Sequence, residues 1–285
     1  MTRKTVLVTG SSGKLGGAVA GALAQEHNVV QLDVRPPSES RRGCASRIHI
    51  GSVTDKDVVA AAVEGVDTII HCAAIPWNSP PFDELIQINV GGTINLLEAA
   101  AERRQIERFI FISSIRVHGV LESVRDEFMP RFLPFDESHP YLTVEYYGGS
   151  KVQAEHWCRM YVKRVRKPVV VFRPSFIVPL PRENEFAARP ESDRPDLNQY
   201  IATSDLVHAI LLAFDYDPPE GFDAFLMHAA DQCSTTPSLE LAARWFPGVP
   251  TDPQKLALQN GYGALVDCSR ARERLGWQPR VFCKR

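Results

Sequence analysis

A chain of 285 residues, 44% of them hydrophobic, is long enough to bury a sizeable core, either as one large α/β domain or as a domain with a smaller lobe. Its 32 Lys plus Arg against 34 Asp plus Glu leave a net charge of −2, which excludes a general electrostatic pull toward nucleic acid or an anionic membrane surface. Six scattered cysteines without C-x-x-C or His-rich spacing argue against a metal site and a disulfide framework, and for reduced thiols in a cytoplasmic protein. No apolar run reaches the length of a membrane span, and the one at the start is too short for a signal peptide.

Residues 5–9, TVLVT, read as a short buried strand running directly into GSSGKLG (10–16), after which Ala18, Val19, Ala22 and Leu23 recur at helical spacing. A strand, a glycine turn and a helix start together present backbone N–H groups to a phosphate. One glycine permits the sharp turn, one lets the backbone approach a pyrophosphate, and one lets helix and sheet pack closely; alone, such a pattern is equally an ordinary turn. The next strand-like run, 29–32, ends in Asp33, 17 residues after Gly16 and placed to accept hydrogen bonds from a ribose diol. That combination predicts a dinucleotide site.

Residues 35–43 are loop by composition, 47–50 a third strand, and 58–63 a helix capped by Thr54 or Asp55 and stopped at Gly65. A fourth strand over 67–74 ends in small residues; a turn-rich loop (76–81), a long helix (82–103) and an almost wholly apolar strand (108–114) follow. Such apolarity is expected where helices cover both faces of a parallel sheet, and the alternation predicts an α/β fold, a doubly wound parallel sheet of the Rossmann type. The stretch 116–145 is irregular, with Pro130, Pro134 and Pro140 preventing a continuous helix, and a loop of that length is usually functional. A helix over 147–165 and a strand over 168–173 come next, then a Pro-, Arg- and acid-rich loop (179–198), a helix (203–214), a short strand (225–228) and helices near 238–245 and 269–275. The expected division is a dinucleotide-binding domain over 1–173 and a reduced substrate lobe over 174–285, with 200–228 packing back on the core.

Tyr147 and Lys151 are four residues apart and share a helix face. An ammonium beside a phenol favours the phenolate and lowers the tyrosine pKa, making it a usable proton donor and acceptor. The pair follows a strand ending in Ser113-Ser114, and ligands of parallel sheets bind at the carboxyl ends of strands.

Nine pieces in order, TGSSGKLG (9–16), HCAA (71–74), NVGGTINLLEAA (89–100), FISSIRVHG (111–119), PFDESHP (134–140), YYGGSK (146–151), VFRPS (171–175), ATSDLVHAI (202–210) and DCSRARERLGW (267–277), carry a resemblance that covers most of the chain. The sequence resembles the extended short-chain dehydrogenase/reductase family, in its NAD-dependent epimerase/dehydratase group. The resemblance implies Ser114, Tyr147 and Lys151 as the catalytic triad, Lys151 also binding the nicotinamide ribose, and Gly10, Gly13, Gly16 and Asp33 as the cofactor clamp. It further implies Ser12, Lys14, Leu15, Ser52, Val53, Cys72, Ala73, Ala74, Asn89 and Pro174 in cofactor binding, and no metal. Ser113 competes for the serine role; Ser114 is preferred because relatives place that serine five residues before the closing glycine, here Gly119.

The chain also departs from the family pattern. Ser52 stands where many relatives carry an acid that reaches the adenine amino group, and Lys14 replaces a common aromatic. Lys14 or Arg35 near a ribose 2′-phosphate would permit NADP, whereas the Asp33 carboxylate repels that phosphate; NAD is the expected cofactor. Only 31 residues separate Arg173 from Asp205, where relatives that hold a nucleotide-sugar insert extra elements, so the resemblance implies a small substrate as in the uronate and aldose dehydrogenases. Candidate substrate contacts are Ile75, Ser114, Arg116, Ser175, Arg182 and Arg189, the last two either a carboxylate clamp or solvated loop charges. His71 and His118 either line the cofactor cleft or are satisfied interior histidines. The expected reaction is hydride removal from an alcohol or lactol carbon of a small sugar- or uronate-like molecule; the alternatives are an epimerase with tightly held NAD and a non-catalytic dinucleotide sensor. By analogy the helices over 82–103 and 147–165 make a homodimer, with Leu96, Val152 and Met160 at its face.

Overall fold

Successive residues of the apolar runs face opposite sides of one sheet, which gives the molecule three layers. The computed structural model describes residues 3–76, 81–119, 129–185, 187–188 and 199–284. Its strands are β1 (Thr5–Thr9), β2 (Asn28–Asp33), β3 (Arg47–Ile50), β4 (Thr68–His71), β5 (Arg108–Ile112), β6 (Val169–Pro174), the small pair β7 (Ile177–Val178) and β8 (Ile201–Ala202), and β9 (Phe222–Met227). Seven of them form a parallel sheet in the order β3-β2-β1-β4-β5-β6-β9. The helices are α1 (Lys14–Leu23), α2 (Glu39–Arg42), α3 (Lys56–Ala62), α4 (Phe82–Ile86), α5 (Gly92–Ala101), α6 (Tyr146–Val165), α7 (Thr203–Leu212), α8 (Ser238–Trp245), α9 (Pro253–Leu256), α10 (Leu258–Gly261) and α11 (Ser269–Leu275).

Val6, Val8, Ile70, Ile110 and Phe172 pack on Val19 and Leu23 of α1 and on Leu206 and Ile210 of α7. The alternate residues Leu7, Ile69, Phe109, Phe111 and Val171 pack on α3, α5 and α6 through Val59, Leu96 and Ala154. With both faces covered, the central strands β1, β4, β5 and β6 are apolar through their middles, as the apolar runs required, while the edge strand β3 leaves Ile48 and Ile50 exposed. A third core joins Leu133 and Phe135 to Leu226 of β9 and to Leu241, Phe246 and Leu265 further along the chain.

The helix expected over 82–103 is interrupted. Between α4 and α5 lies one π-turn, Gln87–Gly91, where Thr93 Oγ1 donates to the Asn89 carbonyl at 2.7 Å and the Asn89 side chain is drawn toward the loop after β4. Asp55, one of the two cap candidates, caps α3 by accepting from the N–H groups of Asp57 and Val58.

Strand order reverses between β1 and β4, whose ends lie level: Thr9 pairs with Leu32 on one side and His71 on the other. A crevice at that switch point is where a ligand fits an open parallel sheet.

The C-terminal tail is tied back to α7. Asp205 accepts from the N–H groups of Arg280 and Val281, each at 3.0 Å, and its carbonyl accepts from Trp277 Nε1 at 2.9 Å. Asp205→Ala orphans two backbone donors that met a charged acceptor, so it should cost about 3 kcal/mol. Thermal unfolding checks this, and a loss below about 0.5 kcal/mol would contradict it.

Candidate active site

The groove at the switch point begins with the glycine turn. Gly10 adopts φ +66°, and a Cβ there would stand 2.7 Å from the Ala73 nitrogen. Gly16 lies against the Gly10 carbonyl, where a Cβ would come within 2.2 Å of the oxygen. The turn is closed by Gly10 N–H to the Leu32 carbonyl at 2.8 Å and Gly13 N–H to the Gly10 carbonyl at 3.0 Å. Gly13 caps α1 without a side chain, so the N–H groups of its first turn have no intrahelical acceptor and form an anion-attracting end.

Asp33 is fixed at the end of β2. Its Oδ2 accepts from Ser12 N–H at 2.9 Å and its Oδ1 from Arg35 N–H at 3.0 Å, while Ser12 Oγ donates to the Arg35 carbonyl. Gly10, Gly13, Asp33, Ser52 and Val53 line a groove together with Cys72, Ala73, Ala74 and Ile75. Arg35 and Ile88 also line it, the second unforeseen in the sequence. Burial pushes the Cys72 thiol up to about 12, so it is neutral wall. The Ser52 hydroxyl is engaged with Thr54. Lys14 is exposed at the start of α1, Leu15 packs against the core, and Pro174 is buried at the end of β6.

Asn89 does not present a free amide to the groove. Its Oδ1 accepts from Ile75 N–H at 2.8 Å, and its Nδ2 donates to the Ile75 carbonyl and to Ser150 Oγ, each at 3.1 Å. It therefore latches the loop after β4 to α6. His71, one candidate for the cleft wall, is buried behind it. Thr93 Oγ1 donates to Asn89 and so accepts from His71 Nε2–H, and Thr9 Oγ1 donates to His71 Nδ1 and accepts from Ala73 N–H. Burial holds that imidazole down to about 3, and it is neutral.

The second part of the site is at the end of β5. Ser114 caps a short 3-10 helix, Ile115–His118, accepting from Arg116 N–H, and its side chain lies near enough to the Tyr147 phenol to lower the pKa of that group. Tyr147 sits in the first turn of α6. Its pKa is raised, chiefly by burial, while the Ser114 hydrogen bond and the Arg116 charge pull it down. This corrects the expectation that Lys151 lowers it. Lys151 Nζ donates to the Ile112 carbonyl at 2.9 Å and stands 5.8 Å from the tyrosine ring centroid, and burial holds the ammonium down to about 8.

The adjacent serine points elsewhere. Ser113 Oγ donates to Glu155 Oε1 at 2.6 Å within a buried network that the sequence reading missed. Arg173 grips the same carboxylate through Nε at 2.9 Å and Nη2 at 2.7 Å, and Tyr141 donates to it at 2.8 Å. His118 belongs here and not to the cleft: it accepts from Arg173 Nη1 and is held neutral, at about 3, mainly by burial. The signal was present, since Arg173 is the one charge in VVVFRP and Glu155 follows Lys151 by four residues.

Among the substrate candidates, Ile75 lines the groove, and Arg116 is paired with Glu145 at 2.7 Å while its charge acts on Tyr147. Ser175 Oγ donates to the Met227 carbonyl, a structural use. Arg182 is exposed in the turn Leu180–Glu185, and Arg189 lies outside the described residues.

Comparison with known proteins bears on the same segments. A family model described as NAD dependent epimerase/dehydratase matches residues 6–189. L-arabinose 1-dehydrogenase (NAD(P)(+)) of Haloferax volcanii is 34% identical over 164 residues, 56% of this chain and 61% of that protein. Uronate dehydrogenase of Pseudomonas syringae pv. tomato is 29% identical over 177 residues, 62% of this chain and 61% of that protein. The match thus spans about three fifths of the length of each relative. A short-chain dehydrogenase/reductase superfamily protein from Agrobacterium tumefaciens, solved with bound NAD, superposes with a TM-score of 0.73 at 26% identity, covering 98% of this chain and 93% of that one.

Proposed function

This chain belongs to the NAD-dependent epimerase/dehydratase family, and on that premise we propose that it is an NAD-dependent oxidoreductase that removes hydride from an alcohol or lactol carbon of a small sugar- or uronate-like substrate. The observation that carries this reading is the placement of Ser114, just past the carboxyl end of β5, close enough to the Tyr147 phenol to lower its pKa, while the glycine turn and Asp33 line a groove at the carboxyl ends of the neighbouring strands β1 and β2. The residues fit the cofactor: the turn has no room for a Cβ at Gly10 or Gly16, as close approach of a pyrophosphate requires, and a fixed carboxylate waits for a ribose diol. Bound NAD supplies the hydride acceptor. Tyr147 takes the proton of the substrate hydroxyl as the carbon becomes a carbonyl, Ser114 holds the oxygen, and Lys151 keeps a positive charge beneath the tyrosine ring.

The short segment between Arg173 and Asp205 and the arabinose and uronate dehydrogenases among the relatives favour a small substrate. A screen of aldoses and uronates read by NADH absorbance tests it. Net NADH formation supports the dehydrogenase; sugar conversion without net NADH replaces it with the epimerase. NAD should exceed NADP in kcat/KM by at least tenfold, and Asp33→Ser should reduce that ratio about tenfold by removing the charge that repels a 2′-phosphate, with Arg35 and Lys14 left beside it.

The same reading includes a homodimer in the cytoplasm. Trp157 and Met160 are 44% and 46% exposed on α6 beside Ile94 of α5, an apolar face suited to a second copy. Leu96, expected there, is in the core instead. Six free thiols fit a reducing compartment, and no helix among the described residues is long and apolar enough to cross a membrane. Sedimentation as a monomer at micromolar concentration would reject the dimer.

A further inference from the structure

We propose that Glu155 is a positioning residue of the proton-transfer site: gripped by Arg173, its carboxylate locks the strand end that carries Ser114 to the helix that carries Tyr147 and Lys151, and keeps an anion one helical turn beyond the buried ammonium. The inference rests on the active-site reading above.

A buried ion pair is poor evidence of stabilisation as such, because desolvation offsets the attraction. Here the Glu155 and Arg173 side chains are 0% and 2% exposed, and what distinguishes them is where their partners lie. Ser113, which donates to Glu155, immediately precedes Ser114, and its own N–H is held by the Phe172 carbonyl at 2.7 Å. Arg173 immediately precedes Pro174 at the end of β6. Glu155 itself lies one turn after Lys151 and two after Tyr147 on α6. One carboxylate thus fixes the relative position of β5, β6 and α6 at the level where the reacting groups project. Its oxygens are saturated by Ser113, Arg173 and Tyr141, which leaves the network one arrangement.

The charge matters as well as the geometry. The groups acting on Lys151 are Cys72 at the end of β4 and Glu155 and Cys158 on α6, with neutral His71 and the phenol of Tyr147 nearby. Both thiols are pushed above their ordinary range by burial and are uncharged near neutrality, so Glu155 is the anion among them. Glu155 is faced in turn by Arg173 of β6, Arg159 of α6, Tyr141 and Ser113, while His118, held neutral, and Glu137 face Arg173. Its carboxyl stays below the usual range, Arg173 outweighing burial, so it is ionised wherever the enzyme works. Removing that charge takes away the anion that raises the Lys151 pKa against burial, so Lys151 loses its proton at lower pH.

The test uses the full chain, with Glu155→Gln, Ser113→Ala, Tyr141→Phe and Tyr147→Phe compared for thermal unfolding, NAD affinity, kcat, and the pH dependence of kcat/KM for NAD, which reports the free enzyme. For Glu155→Gln the expected result is NAD affinity within about threefold of wild type, kcat lower by about 10- to 100-fold from misplacement of Ser114, and an alkaline limb moved down by about one pH unit. Ser113→Ala changes no charge, so kcat should fall several-fold with the limb unmoved. A folded Glu155→Gln with wild-type kcat and an unmoved limb overturns the proposal. Where that variant does not fold, wild-type kcat in both Ser113→Ala and Tyr141→Phe overturns it. Should Tyr147→Phe keep full activity, the active-site reading falls and this inference with it; an inactive Tyr147→Phe beside a fully active Glu155→Gln removes this inference alone.

Discussion

Tyr147→Phe should lower kcat by about 10³-fold while NAD affinity stays within a few-fold and the protein unfolds no earlier than wild type. The phenyl ring keeps the packing of the first turn of α6 and its place 5.8 Å from the Lys151 ammonium, so what disappears is the phenol oxygen beside Ser114. Neither cationic neighbour takes over the proton. The Arg116 guanidinium cannot accept one, and Lys151 holds its donor on the Ile112 carbonyl. The pH profile gives a second check with a definite sign. Burial raises the Tyr147 phenol above its ordinary value, so across neutral pH the group is protonated and the rate of alcohol oxidation should rise with pH as the phenolate fraction grows. In the phenylalanine variant that rise should vanish. Ser114→Ala should lose about 10²-fold, because the hydroxyl holding the reacting oxygen is gone. Full activity in either variant would remove these side chains from the chemistry.

These expectations rest on features that differ in how far the sequence exposes them. The doubly wound sheet was legible because each strand had to be apolar on both faces and each was followed by a helical period, so β1 through β6 stand within a residue or two of where the pattern put them, the small-residue end of β4 aside. The glycine turn and Asp33 were legible as a spacing, since backbone approach and a carboxylate at a strand end leave marks in residue type. Ser113 against Ser114 was not decidable from the residues themselves: adjacent serines at the end of a strand point to opposite sides, and only the register of β5 shows that one meets Glu155 and the other Tyr147. The Lys151 expectation failed for a related reason. Four-residue spacing places two side chains on one helix face but does not say which acceptor a long, flexible lysine finds, and here the Ile112 carbonyl takes it. The π-turn around Asn89 was invisible because a single inserted residue leaves the helical period of the flanking segments intact.

Gly16→Ala should be the most damaging change in the cofactor half, and a second glycine in the same helix provides its control. The new Cβ would stand 2.2 Å from the Gly10 oxygen, 2.8 Å from the Gly10 carbonyl carbon and 3.1 Å from the Ser11 Cα, all backbone atoms. Gly10 cannot retreat, because its N–H is bound to Leu32 and its own Cα side is closed by Ala73. The helix must therefore back away from the sheet and loosen Val19, Ala20 and Leu23, which are at most 1% exposed. A loss of about 3 kcal/mol or more is expected from such overpacking, with NAD affinity falling at least about 100-fold as the N–H groups at the start of α1 leave their positions. Gly21, five residues on, has nothing within 4 Å of where its Cβ would stand. Gly21→Ala adds only helix propensity and should stabilise the protein by about 0.5–1 kcal/mol with NAD affinity unchanged. Thermal unfolding and NAD titration of the two variants separate the contributions: equal behaviour would mean that the close contact between turn and helix is not what shapes the cofactor end of the groove.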